Sequence, residues 1–140
     1  MLKNIPPIIS PELLKILCEM GHGDEIVIGD GNFPAASNAE RLIRMDGHGV
    51  PEILDAVLKL IPLDTYVESP AMLMATTQGD TTPEIWAKYE KIITENNGET
   101  NISQIERFKF YERTRDAYAV IATSESALYA NIILKKGVVK

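Results

Sequence analysis

The chain has 140 residues, 45% hydrophobic and 24% charged, proportions that suit one soluble globular domain, residues 1–140, around a single core. Its net charge of −6 argues against a nucleic-acid partner, which needs concentrated Lys and Arg. The one cysteine cannot form an internal disulfide and no apolar run suits a signal peptide or membrane helix, so the expectation is a cytoplasmic protein with no membrane partner.

In chain order, Ser10-Pro11-Glu12 supplies a capping hydroxyl, a proline for the first helical position and an acid suited to the helix dipole. A helix follows, with Leu13, Leu14, Ile16, Leu17 and Met20 on one stripe and Cys18 read as core; Gly21 is its stop. Next, Gly21-His22-Gly23 presents an imidazole between residues that can take positive φ. Glu25 to Gly29 reads as a buried strand that carries Asp30 to its C-terminal end, where open α/β sheets place ligands. This layout puts one imidazole and one carboxylate near the same cleft.

Phe33-Pro34-Ala35-Ala36 reads as a loop with a short helical turn, and Arg41 to Met45 as a strand closing at Asp46-Gly47. His48, although again between glycines, reads as a solvated loop residue. Apolar positions Ile53, Leu54, Val57, Leu58 and Ile61 mark a second helix between Pro51 and Pro62. Val67 to Thr76 contains a short apolar strand whose methionines read as core filling, followed by a turn at Gln78-Gly79-Asp80. Thr82-Pro83-Glu84 repeats the cap signature ahead of a third helix, with Ile85, Trp86, Tyr89, Ile92 and Ile93 inward and Asn97-Gly98 at its end. Ile105 to Arg115 reads as an irregular turn into a short helix. Strands at Tyr118 to Ala122 and Asn131 to Leu134 are joined by a small, polar connection. Alternating helices and strands predict a layered α/β/α domain, a central sheet flanked by helices and mixed at its edges.

No glycine-rich phosphate loop, nucleophile elbow or metal-ligand spacing is present, so the residues themselves call for no cofactor and no metal. What remains is acid-base chemistry on a small polar molecule, with His22 as the group whose unperturbed titration lies near neutrality.

The chain also resembles the fucose mutarotase and ribose pyranase family along essentially its whole length. The residues that carry the likeness are Ile9-Ser10-Pro11-Glu12-Leu13-Leu14, the block Glu19 to Ile26, Asp30 with Phe33-Pro34-Ala35, Arg107-Phe108 with Phe110-Tyr111-Glu112-Arg113, and Tyr129-Ala130-Asn131-Ile132 with Leu134 to Val138. The resemblance implies a cofactor-free isomerase that interconverts the anomers of L-fucose, with His22 as catalytic acid or base and Asp30, Arg107, Tyr129, Ala130 and Asn131 as sugar contacts. The ribose branch typically carries a histidine in place of Arg107, which favours fucose here, whereas Gly31-Asn32 replaces a bulkier pair found in relatives and bears on fine selectivity. A ribose pyranase and a non-catalytic sugar-binding module are the alternatives. Relatives form ring-like homo-oligomers, often decamers, with sites near subunit contacts, so a homo-oligomer is expected.

Overall fold

A computed structural model describes residues 1–140. Eleven elements follow one another: α1 (Pro11–Glu19), β1 (Glu25–Gly29), α2 (Ala35–Asn38), β2 (Leu42–Met45), α3 (Val50–Leu58), β3 (Ala71–Met74), α4 (Ile85–Asn97), β4 (Ile102–Ile105), α5 (Arg107–Asp116), β5 (Ala119–Thr123) and β6 (Ile132–Lys135). The strands form one six-stranded sheet in the order β2-β5-β1-β6-β3-β4.

The sheet is buried on both faces, and residue alternation along the strands shows why. Ile26, Ile28, Ala119, Ile121, Ile132 and Leu134 point into the larger core beneath α1, α3 and α4. Between them Val27, Val120, Ala122 and Ile133 point the other way, into a smaller core with Phe33, Ala35 and Phe110 from the α2 and α5 side. Strands covered on both faces become continuous apolar runs, as Ile26-Val27-Ile28 is, and the result is the expected α/β/α layering.

Strand direction departs from expectation. β1, β2 and β5 are mutually parallel and β3 is parallel to β4, but β6 runs antiparallel to both β1 and β3. The reversal therefore lies in the middle of the sheet, not at an edge. Its cause is the connection from β5 to β6, which contains no helix, whereas a parallel return needs a longer crossover. Five strands end at one edge of the sheet, where β6 begins.

Local signals behave unevenly. The Ser10 hydroxyl accepts from the Leu13 N–H at 3.2 Å and caps α1 as its sequence predicts. Cys18 is exposed on that helix rather than in the core. Of the two glycines beside His22, only Gly23 has positive φ, at 88°. α4 starts after Glu84 with no side-chain cap, so the Thr82 hydroxyl does not play the role assigned to it. The segment 102–105 adds an edge strand the sequence does not announce, and α5 is a full ten-residue helix. No helix is long and apolar enough to cross a membrane.

Candidate functional site

Asp30 leaves β1 at the edge where most strands end, next to the start of its antiparallel neighbour β6. The antiparallel pairing of β1 with β6 brings Asn131 alongside, and its side-chain Oδ1 accepts the Asp30 backbone N–H at 2.7 Å. Asp30 is 8% exposed and Asn131 5%. The Asp30 carboxylate accepts from the Asn32 N–H at 3.0 Å. Burial pushes this carboxyl above its ordinary range, partly opposed by the backbone N–H groups of Asn32, Ala130 and Phe33. A desolvated, strongly accepting carboxylate is what a sugar hydroxyl donor can satisfy.

Tyr129 and Ala130 are fixed from below by α4. Trp86 Nε1–H donates to the Tyr129 carbonyl at 2.7 Å and the Tyr89 hydroxyl to the Ala130 carbonyl at 2.7 Å. Tyr129 itself takes φ 54°, uncommon for a residue with a Cβ. Trp86 is buried as expected, but its indole also anchors the site. Ala130 is fully buried and offers its backbone, not its side chain, to the surroundings of Asp30.

From the other layer, Glu106 caps α5 by accepting the Phe108 and Lys109 N–H groups at 2.9 and 3.1 Å. That puts Arg107 in the first turn of α5, where its Nε–H donates to the Tyr111 hydroxyl one turn on at 3.0 Å. Phe33 packs edge-on against Phe110 and Tyr111, with both ring centroids 5.7 Å away. Gly29 makes room for it, since a Cβ there would lie 2.7 Å from the Phe33 ring.

These residues line an open cavity of about 310 Å³, with Met74, Thr77 and Asp80 supplied by the end of β3 and the turn after it. Its size is at the small end for ligand sites and suits a single sugar ring. Asp30, Arg107, Tyr129 and Asn131 are all brought together here. Tyr111, Thr77 and Asp80 also line the cavity although the sequence did not mark them as site residues, and Met74 touches it rather than filling core alone.

His22 is elsewhere. It precedes β1, whose five residues span about 15 Å at the usual rise per residue, while Asp30 follows it. The expectation of both in one cleft of one chain is therefore corrected: they sit at opposite edges of the sheet. Nor does Asp30 orient the imidazole. The partner is Asp64, with His22 Nε2 and Asp64 Oδ1 2.9 Å apart. In the tautomer this contact selects, the imidazole donates and Nδ1 is left as the free acceptor.

The Asp64 side chain is 4% exposed and the His22 side chain 46%. Burial raises the Asp64 carboxyl, but the Tyr66 backbone N–H and the His22 ring outweigh it and hold the group below the usual carboxylate range. Two loops are tied to the end of β6 to make this pair. Gly23 N–H donates to the Lys136 carbonyl at 2.9 Å, and Asp64 N–H to the Lys135 carbonyl at 3.0 Å. The Lys136 ammonium caps α1 through the Met20 and Leu17 carbonyls. Gly137 lets the Asp64 loop close, because a Cβ there would lie 2.6 Å from the Leu63 carbonyl oxygen. The Tyr66 ring, largely exposed, flanks His22 with centroids 5.3 Å apart.

His48 contributes to neither edge; its ring lies 3.4 Å from Glu52 beside the start of α3.

Residues 3–139 match the model of the RbsD / FucU transport protein family. Human fucose mutarotase is 52% identical, with 98% of this chain and 94% of that protein covered. Among solved structures, the fucose mutarotase of Streptococcus pneumoniae in complex with L-fucose superposes with TM-score 0.95 at 54% identity, covering 99% of this chain and all of that one. Bacillus subtilis RbsD complexed with D-ribose superposes with TM-score 0.77 at 26% identity over 100% of both chains. Matched from end to end in sequence and in fold, the chain belongs to the RbsD / FucU family.

Proposed function

We propose that this protein is an L-fucose mutarotase, an isomerase that interconverts the α and β anomers of the free sugar by opening and reclosing the ring. The observation that carries the reading is the cavity in which Asp30, Arg107, Tyr129 and Asn131 converge, in a chain half identical to fucose mutarotases throughout. Arg107 holds a planar, permanently charged fork toward sugar hydroxyls, which a histidine at that position could not match. This, with the greater likeness to the fucose-binding structure than to the ribose-binding one, favours fucose over ribose.

Ring opening requires a proton to leave the anomeric hydroxyl and another to reach the ring oxygen. Asp30, Arg107 and Asn131 satisfy hydroxyls that would be costly to desolvate unpaired. His22, oriented by Asp64, supplies the acid or base. Because β1 separates His22 from the cavity of its own chain, the imidazole that acts on a bound sugar comes from a neighbouring copy, and the working enzyme is a homo-oligomer. The half-exposed His22 and the exposed Tyr66 at one edge, with the exposed Phe108 and Leu128 at the other, support such a meeting of opposite edges. The chemistry uses side chains of the protein alone.

The test is saturation transfer by NMR between the α and β anomers of L-fucose, run beside D-ribose. Faster exchange with fucose is the expected result. Shifted sugar resonances without any acceleration would indicate a binding module, and faster ribose exchange a pyranase.

A further inference from the structure

At the rim of the cavity three side-chain oxygens form a closed triangle that sugar binding leaves unexplained. The Thr77 hydroxyl donates to Asp80 Oδ2 at 2.8 Å and lies 2.9 Å from the Tyr129 hydroxyl oxygen. The Tyr129 hydroxyl in turn donates to the same Asp80 oxygen. Two hydroxyl protons are thus drawn to one carboxylate, and the Tyr129 oxygen, which accepts only the long 3.4 Å contact from the Thr77 backbone N–H, keeps a lone pair for a further donor. Asp80 has no ion-pair partner, and Arg107 is the one cation lining the cavity. The Tyr129 and Thr77 hydroxyls hold Asp80 below the ordinary carboxylate range, so it is ionised near neutrality. Neither end of the triangle is free to drift: Trp86 grips the Tyr129 carbonyl, and Gly79, at φ 93°, bends the turn that brings Asp80 back.

We infer that Asp80 is a positioning residue that makes Tyr129 a proton acceptor for the anomeric hydroxyl, by taking the tyrosine's own proton in the same step. The inference rests on the mutarotase reading above. On opening, the sugar O1–H bond breaks and its proton joins the Tyr129 oxygen, while the Tyr129 proton passes to Asp80 Oδ2. The C1–O1 bond becomes a carbonyl as the bond from C1 to the ring oxygen breaks, and the ring oxygen takes a proton from the protonated His22 of a neighbouring copy. Closure on the other face runs each transfer in reverse and restores every group. A carboxylate behind a phenol strengthens the phenol oxygen as an acceptor, because hydrogen bonds in a chain polarise one another, and positioned acid-base groups of this kind contribute about 10²–10⁴-fold.

A different reading is that the triangle merely closes the turn at 77–80. Asp80→Asn separates the two, because the amide oxygen can still accept the turn's hydrogen bonds but cannot take the tyrosine proton. Maximal L-fucose anomer exchange should fall about 10–100-fold while the half-saturating fucose concentration stays within about twofold. Thr77→Val, which removes a turn contact but leaves the carboxylate, should lose less than about fivefold. In a Tyr129→Phe background Asp80→Asn should add almost nothing, since a residue acting through another is silent once that other is gone. Near-normal exchange in Asp80→Asn, an effect confined to sugar affinity, or an undiminished effect in the Tyr129→Phe background would each overturn the inference. If the unmodified protein fails to exchange fucose anomers, the mutarotase reading falls and this inference with it.

Discussion

The two edges of the sheet are built differently. The edge around Asp30 is a cavity made by four segments that converge from β1, the β3 turn, α5 and the start of β6, and its polar groups point into a shared space. The edge around His22 has an ion pair flanked by one aromatic ring, held by backbone ties to the end of β6, with the imidazole about half exposed. One edge is arranged to hold a ligand and the other to be brought to one. On the proposed reading a single chain contains all the groups but no complete site, and activity would be a property of an assembly of copies.

The sharpest way to break this contrast is at His22. If it carries the proton and takes little part in holding the sugar, His22→Ala should reduce anomer exchange by about 10²–10⁴-fold while fucose affinity, measured by calorimetry, stays nearly unchanged. Substantial loss of affinity instead would mean that the imidazole is chiefly a binding group. Asp64→Asn should act in the same direction but less, by about 10–100-fold, because it leaves the imidazole in place and removes the charge that orients it. Saturation transfer rates would show whether the two effects merge in the double variant, as they should for groups that act as a unit.

Much of this arrangement is legible in the residues. Ser10-Pro11-Glu12, the buried run Ile26 to Ile28 and the emergence of Asp30 from a strand end are local features, and local features survive the passage from sequence to structure. What sequence spacing obscures is distance. His22 and Asp30 are eight positions apart, which looks close, yet the intervening strand is extended and keeps them at its opposite ends. Conversely His22 and Asp64 are 42 positions apart and in contact, joined only because β6 gathers both loops. Tyr129 and Asp80 meet across 49 positions in the same way. The edge strand Ile102–Ile105 escapes a pattern reading because an edge position places little apolar demand on Ser103 and Gln104. α5 reads as irregular because its outward face, with Arg107, Phe108 and Lys109, is exposed and obscures the helical stripe.

The cavity edge predicts an opposition between stability and activity. Asp30 has its folded pKa raised by burial, so its contribution to stability is fully present below the ordinary aspartate pKa of about 3.9 and is lost as pH rises through the folded value. Near neutrality the charged form is a burden on the fold. Asp30→Asn should consequently melt at a higher temperature than the parent protein at neutral pH, with the difference shrinking as the solution is acidified; each 1 kcal/mol relieved corresponds to about 2–8 °C. Exchange should fall about tenfold or more, since a neutral amide makes weaker hydrogen bonds to the sugar than a carboxylate does. A lower melting temperature at neutral pH would show that the backbone N–H groups around Asp30, not its burial, dominate its energetics.

Whether two copies complete one site can be tested directly. His22→Ala and Arg107→Ala chains, co-expressed with different tags and purified through both, give mixed oligomers in which every chain is defective at one edge. If the cavity of one copy uses the imidazole of its neighbour, random mixing should restore roughly a quarter of the parental exchange rate, from cavities of His22→Ala chains served by neighbours with intact His22. Exchange no greater than the average of the two variants alone, in oligomers whose mixed composition mass spectrometry has established, would contradict the shared site.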